Sequence, residues 1–132
     1  MIGLDTNVIV RYVTQDDPKQ SPVATRFMEK TLTAEEAGFV SLVVLAEVVW
    51  VLVSLYAADR TGIAEVLTGL LTTQQLRVES AELVWRAKRR YEQSKADFSD
   101  ALIIECAMAA GCQRSVTFDR PAAASSGFEL LS

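Results

Sequence analysis

Four acidic residues stand where this chain could do chemistry. Asp5 follows the apolar run of residues 2–4, and Glu47 is the single charge inside the long apolar stretch 40–58. Asp100 sits in Asp97-Phe98-Ser99-Asp100-Ala101-Leu102-Ile103, and Asp119 closes Val116-Thr117-Phe118. Gathered in one place, four carboxylates would repel one another, because like charges close together resist joint ionisation. A divalent cation removes that penalty. The chain has no histidine and only two cysteines, so such a site would be built of oxygen, which selects Mg²⁺ or Mn²⁺ over zinc. A hard cation of this kind lowers the pKa of a bound water and neutralises charge on a reacting phosphoryl group.

Each acid taken singly is better explained structurally. Asp5 and Asp97 have the residue type of a helix N-cap, and Asp100 would lie in the favourable field of the same helix terminus as Asp97. Glu47 could be a buried acid paired with an arginine, and Asp119 could start a turn before Pro121. Their joint placement is what favours a site. Asp5 and Asp119 each follow a predicted strand, Glu47 lies in the helix after a third, and Asp100 opens the helix before the strand that carries Asp119. In an open parallel sheet, ligands collect in the crevice beyond the carboxyl ends of the strands.

The elements that must position these acids are legible in outline. An apolar strand over residues 2–4 runs into a short helix through Val8, Ile9 and Tyr12, with Asp5 or Thr6 able to cap it. Asp16-Asp17-Pro18 reads as a loop and residues 18–32 as an amphipathic helix. A strand over 38–41 leads into an apolar helix over 42–56, and further helices fit 63–71, 81–93 and 97–110, the last ended by Gly111. Strands fit 76–78, 114–118 and 128–131. Short apolar strands alternating with helices imply right-handed crossovers and a parallel sheet covered on both faces. The expected fold class is therefore α/β, a three-layer α/β/α domain in which helices predominate.

Composition narrows the function. The 132 residues suit one domain over 1–132, since domains of roughly 100–150 residues are commonest. The lack of histidine removes Ser-His-Asp and Cys-His catalysis and the His pair of metal-free ribonucleases. A net charge of −4 argues against a protein that merely coats nucleic acid, but four metal-committed carboxylates would hold just that excess. Cys106 and Cys112 read as small core residues rather than a disulfide or metal pair. The N-terminus shows no signal pattern, which points to the cytoplasm. The stretch 40–58 approaches the ~20 residues of a membrane span, yet a central Glu47 is costly there and its flanks lack a one-sided basic cluster. No membrane association is expected. A helix apolar nearly all round needs cover on every side, so residues 44–55, with Trp50, are a candidate self-association surface.

Two other functions fit parts of this pattern. A phosphatase using Asp5 as nucleophile, in the manner of haloacid-dehalogenase-like proteins, would want a second Asp two residues on, where Asn7 stands. A non-catalytic dimeric binding module would use the acids as caps and salt bridges.

Leu4-Asp5-Thr6-Asn7, the segment from Ser41 to Glu47, the run from Asp97 to Ile103 and Val116-Thr117-Phe118-Asp119-Arg120 together resemble the four motif blocks of PIN domains. The resemblance is closest to the VapC toxins of bacterial toxin–antitoxin pairs and spans nearly the whole chain in order. It implies a PIN-like fold, a metal-dependent endoribonuclease acting on RNA, a homodimer, and inhibition by a cognate antitoxin. Its catalytic, metal-binding acids fall on Asp5, Glu47, Asp100 and Asp119. The third acid could be argued for Asp97, but Asp100 directly precedes Ala-Leu-Ile, as the family's acid does. Asp97 is then a cap or supporting group, and Thr6 and Thr117 match hydroxyl positions near the site. Arg11, Arg114 and Arg120 are candidates to grip the RNA backbone. The cluster between Arg86 and Arg90 is a further one, for which a solvated helix face is the simpler account.

Overall fold

The computed structural model describes residues 1–131, in two compact units that divide after Glu79. The first begins with β1 (Ile2–Gly3), α1 (Thr6–Thr14) and α2 (Gln20–Arg26), the last continued by a π-helical turn over Phe27–Thr31. It goes on through β2 (Gly38–Val40), α3 (Leu42–Tyr56), α4 (Arg60–Thr72) and β3 (Leu76–Val78). The strands pair in parallel in the order β1-β2-β3, with Ile2 opposite Gly38 and Val40 opposite Val78. The central strand β2 buries Gly38 and Val40, while its neighbours expose Gly3 and Arg77. Gly38 lets core leucines pack close against β2. A Cβ there would lie 2.8 Å from Leu32 Cδ1 and 2.9 Å from Leu4 Cδ1, inside the core that the strands share with the helices.

Local chemistry sets the helix boundaries. The Ser41 hydroxyl accepts from Val44 N at 3.1 Å at the start of α3, and the Asp59 carboxylate accepts from Gly62 N at 2.7 Å at the start of α4. Glu79 Oε1 accepts from Leu42 N at 2.8 Å, satisfying another amide in the first turn of α3. Leu45, Val48, Val49 and Leu52 of α3 are buried, while Val43, Trp50, Val53 and Leu55 are exposed. The apolar helix is thus covered on one side only. Among the described residues no helix is long and apolar enough to cross a membrane.

The second unit contains α5 (Ala81–Gln93), α6 (Phe98–Ala109), β4 (Val116–Thr117), α7 (Arg120–Ser126) and β5 (Glu129–Leu130). Helices α5 and α6 pack through Leu83, Val84, Ala87 and Tyr91 on one side and Phe98, Ala101, Leu102 and Ile104 on the other. Tyr91 meets Phe98 edge to face, with ring centroids 6.1 Å apart, the arrangement the ring quadrupoles favour. Strands β4 and β5 pair in parallel, Val116 opposite Glu129.

Three sequence expectations change. Residues 119–126 form α7 rather than a turn, because Pro121 lies in the first turn, where its missing N–H costs nothing. The strand expected over 114–118 shortens to Val116–Thr117. Cys112 is exposed and Cys106 half-buried, so Cys112 is not the core residue that its apolar neighbourhood suggested. It lies just past Gly111, whose φ of 96° carries the chain out of α6 into solvent.

Candidate active site

In the first unit the motif residues form one connected group. Asp5 is the N-cap of α1, and its Oδ1 accepts from Thr6 N at 2.7 Å. The Thr6 side chain is buried and donates from Oγ1 to Glu47 Oε2 at 2.8 Å, joining residues 41 positions apart. Asp5 and Glu47 themselves are exposed. Thr6 is therefore the post that fixes the Glu47 carboxylate beside the start of α1. Each acid keeps an oxygen, Asp5 Oδ2 and Glu47 Oε1, without a donor among the described residues.

The second unit carries the other acids. Asp97 is the N-cap of α6, its Oδ1 accepting from Asp100 N at 2.7 Å. Asp119 caps α7 by accepting from Ala122 N at 3.1 Å, and its own N–H donates to Thr117 Oγ1 at 3.0 Å. Asp100 has no donor to its carboxylate among the described residues. Burial, and then the negative charges of Asp97 and Asp119, push its carboxyl above the ordinary carboxylate range. The helix N-terminus works in the opposite sense, yet burial and the neighbouring charges win. Asp5 and Asp97 are caps as their residue type suggested, Asp119 caps α7 rather than starting a turn, and the capping bonds leave the second oxygen of each carboxylate available.

Within neither unit, among the described residues, do three Asp, Glu or Cys side chains close around a metal position. The donor set nevertheless suits a hard divalent cation. It is all carboxylate and hydroxyl oxygen, with Asp100 lacking both a donor and a neutralising charge.

The expected cations fare unequally. Arg11 is engaged: its Nε donates to Gln20 Oε1 at 2.8 Å, and Asp16 and Asp17 lie at 3.8 and 3.9 Å. Hydroxyl donors Thr14 and Tyr56 hold the Asp16 carboxyl below its usual range, and the Gln20 and Lys19 amides do the same for Asp17. Arg114 pairs with Glu129 at 3.0 Å. Arg120 is exposed and has no partner among the described residues.

Sequence reasoning missed Glu105. This buried acid of α6 receives the Arg90 guanidinium at 2.9 Å and lies 3.4 Å from Arg86 Nε, so two members of the basic cluster on α5 serve packing. A charge inside an otherwise apolar helix was the available signal, but only the α5–α6 pairing shows which arginines answer it.

None of the curated proteins matches the chain. Among solved structures, the crystal structure of Mycobacterium tuberculosis VapC20, described as a sarcin-ricin loop cleaving toxin, is similar to it. The two share 22% identity over 98% of this chain and 97% of that one, with a TM-score of 0.47. The sequence profile of the PIN domain matches residues 2–124, nearly the full length, and the chain belongs to the PIN-domain family.

Proposed function

We propose that this PIN-domain protein is an endoribonuclease that hydrolyses RNA phosphodiesters with the help of Mg²⁺ or Mn²⁺, and that it is the toxin of a toxin–antitoxin pair. PIN-domain nucleases in general use a divalent metal. The observation that carries the reading is Asp100: a half-buried carboxylate, without a donor, whose pKa is raised by burial first and then by the charges of Asp97 and Asp119. Groups held in such an unfavourable state mark functional sites more often than structural ones.

In this reading Asp5, Glu47, Asp100 and Asp119 hold the cation. Bound there, the metal would supply an activated water and charge neutralisation at the phosphoryl group. The protein's own residues do the positioning. Thr6 fixes the rotamer of Glu47, Asp97 fixes the first turn of α6 and so the place of Asp100, and Thr117 fixes the backbone of Asp119. Of the three candidate arginines, Arg120 is the one without a partner among the described residues and so can meet the RNA backbone. The exposed side chains Val43, Trp50, Val53 and Leu55 on α3 supply the homodimer surface. A cognate antitoxin would then be the inhibiting partner, and the cytoplasm the compartment.

Cleavage-site mapping on total RNA with Mn²⁺, wild type against Asp5→Asn, tests this. Defined cleavage by the wild type and none by the variant is expected. Equal cleavage by both would remove Asp5 from the mechanism. One further reading has direct support: three of the acids are caps, as a non-catalytic binding module would have them. Calorimetric titration with Mn²⁺ separates the two, because a module should show no site that Asp100→Ala abolishes.

A further inference from the structure

Phe118 is 78% exposed, the most exposed of the large apolar side chains, and it immediately precedes Asp119 and Arg120. Scattered exposed apolar residues are ordinary. This one is held in a defined place. Before it, β4 is tied to β5 by Glu129 N donating to Ser115 O at 2.8 Å and Leu131 N donating to Thr117 O at 2.7 Å. After it, the Asp119 N–H is taken by Thr117 Oγ1 and the Asp119 carboxylate caps α7. The backbone is therefore anchored on both sides of Phe118. The ring is offered to solvent one residue from a carboxylate and two from a guanidinium that has no partner among the described residues. Val116, two positions back in β4, is also 46% exposed.

An exposed aromatic face beside a free cation is the equipment with which proteins hold single-stranded nucleic acid, the base stacking on the ring and the phosphate meeting the charge. Charge alone would serve this chain poorly. Its net charge is −4, Arg11 is engaged by Asp16, Asp17 and Gln20, and Arg114 is paired with Glu129. Affinity for RNA then has to come largely from contacts other than phosphate neutralisation. A duplex cannot use the ring, because its base faces are already stacked.

We infer that Phe118 is a stacking platform for an unpaired base next to the phosphodiester being cut, with Arg120 on the adjoining phosphate. This rests on the nuclease reading above and adds a base-binding residue to it.

The test uses the full chain carrying Asp5→Asn, which prevents cleavage during binding, and a short fluorescein-labelled RNA, single-stranded or annealed to its complement. Anisotropy in Mn²⁺ should show that adding Phe118→Ala weakens single-strand binding about 5- to 140-fold, the range measured for loss of one base–aromatic stack. Binding to the duplex should not change, and Phe118→Trp should restore the single-strand preference. In the cleaving enzyme Phe118→Ala should raise KM with little loss of kcat. A circular dichroism melt checks that the exposed substitution leaves the fold intact. Equal weakening on both RNA forms, unaltered binding, or a change in self-association by sedimentation in place of a change in RNA binding would each overturn the stacking role. If the wild type cleaves while Phe118→Ala keeps its KM, stacking alone falls. If the wild type neither binds nor cleaves RNA, the nuclease reading falls and takes stacking with it.

Discussion

Replacing Arg90 by methionine isolates the buried charge of the second unit. Glu105 is 7% exposed, and its Oε2 receives Arg90 Nε and Nη2, both at 2.9 Å. Removing one partner of a fully buried ion pair costs about 3–5 kcal/mol, because the other charge is left uncompensated. Two features here reduce that. Arg90 is itself 30% exposed, and Arg86 remains 3.4 Å from Glu105 Oε1. Methionine also keeps most of the apolar stem. The expected loss is about 2–3 kcal/mol, the range of one strong charge-assisted hydrogen bond with part of its desolvation penalty. For a chain of 132 residues, unfolding entropy of ~2.1 cal/mol/K per residue makes each kcal/mol worth roughly 3–4 °C. Thermal denaturation should therefore show Tm falling by about 7–11 °C. The paired substitution Arg90→Met with Glu105→Leu should recover most of it, since the charge needing a partner is gone and leucine fills the space between α5 and α6. A single-variant loss below about 0.5 kcal/mol would mean that solvent screens the pair like a surface one. A double variant as unstable as the single would mean that the arginine stem, not the charge, does the stabilising.

Two further predictions concern the acids themselves. Asp100→Asn should raise Tm at neutral pH without added metal while abolishing Mn²⁺-dependent cleavage. The Asp100 carboxyl titrates higher folded than its ordinary value of 3.8, so ionisation penalises the folded state above that raised pKa. The penalty lifts as pH falls through it, and melts near neutrality and near pH 4 should show the variant's advantage shrinking; a constant gap would deny the crowding. Thr6→Val removes the 2.8 Å donor to Glu47 and should cost about 1–2 kcal/mol. It should also lower the cleavage rate, because Glu47 loses its orientation. Unchanged kcat in that variant would make Thr6 a packing residue only.

Local signals read from the chain carry a good part of this picture. Leu83, Val84, Ala87 and Tyr91 announce α5 by their spacing, and Asp97 announces the start of α6 by its capping chemistry. The α/β class with short parallel strands follows from apolar stubs alternating with helical periods, and the PIN-domain profile over residues 2–124 agrees with it. Helix α7 escaped because Arg120–Ser126 is short, rich in Ala and Ser and without an apolar period, and because proline in a first turn looks like proline in a loop. The π-helical turn over Phe27–Thr31 likewise has no sequence mark that separates it from an ordinary helix end.

Residue types and their order, by themselves, settled which groups could do chemistry: carboxylates, with no imidazole to replace them. Partnership was decided only by packing. Thr6 meets Glu47 across 41 residues, Arg90 meets Glu105 across 15, and Arg11 is drawn to the acids of the loop after α1 rather than left for a ligand. Hydrogen bonds and ion pairs act over a few ångströms, and separation along the chain says little about separation in space. Likewise the strand predicted over 114–118 gives no sign that the folded chain leaves the Phe118 ring in water.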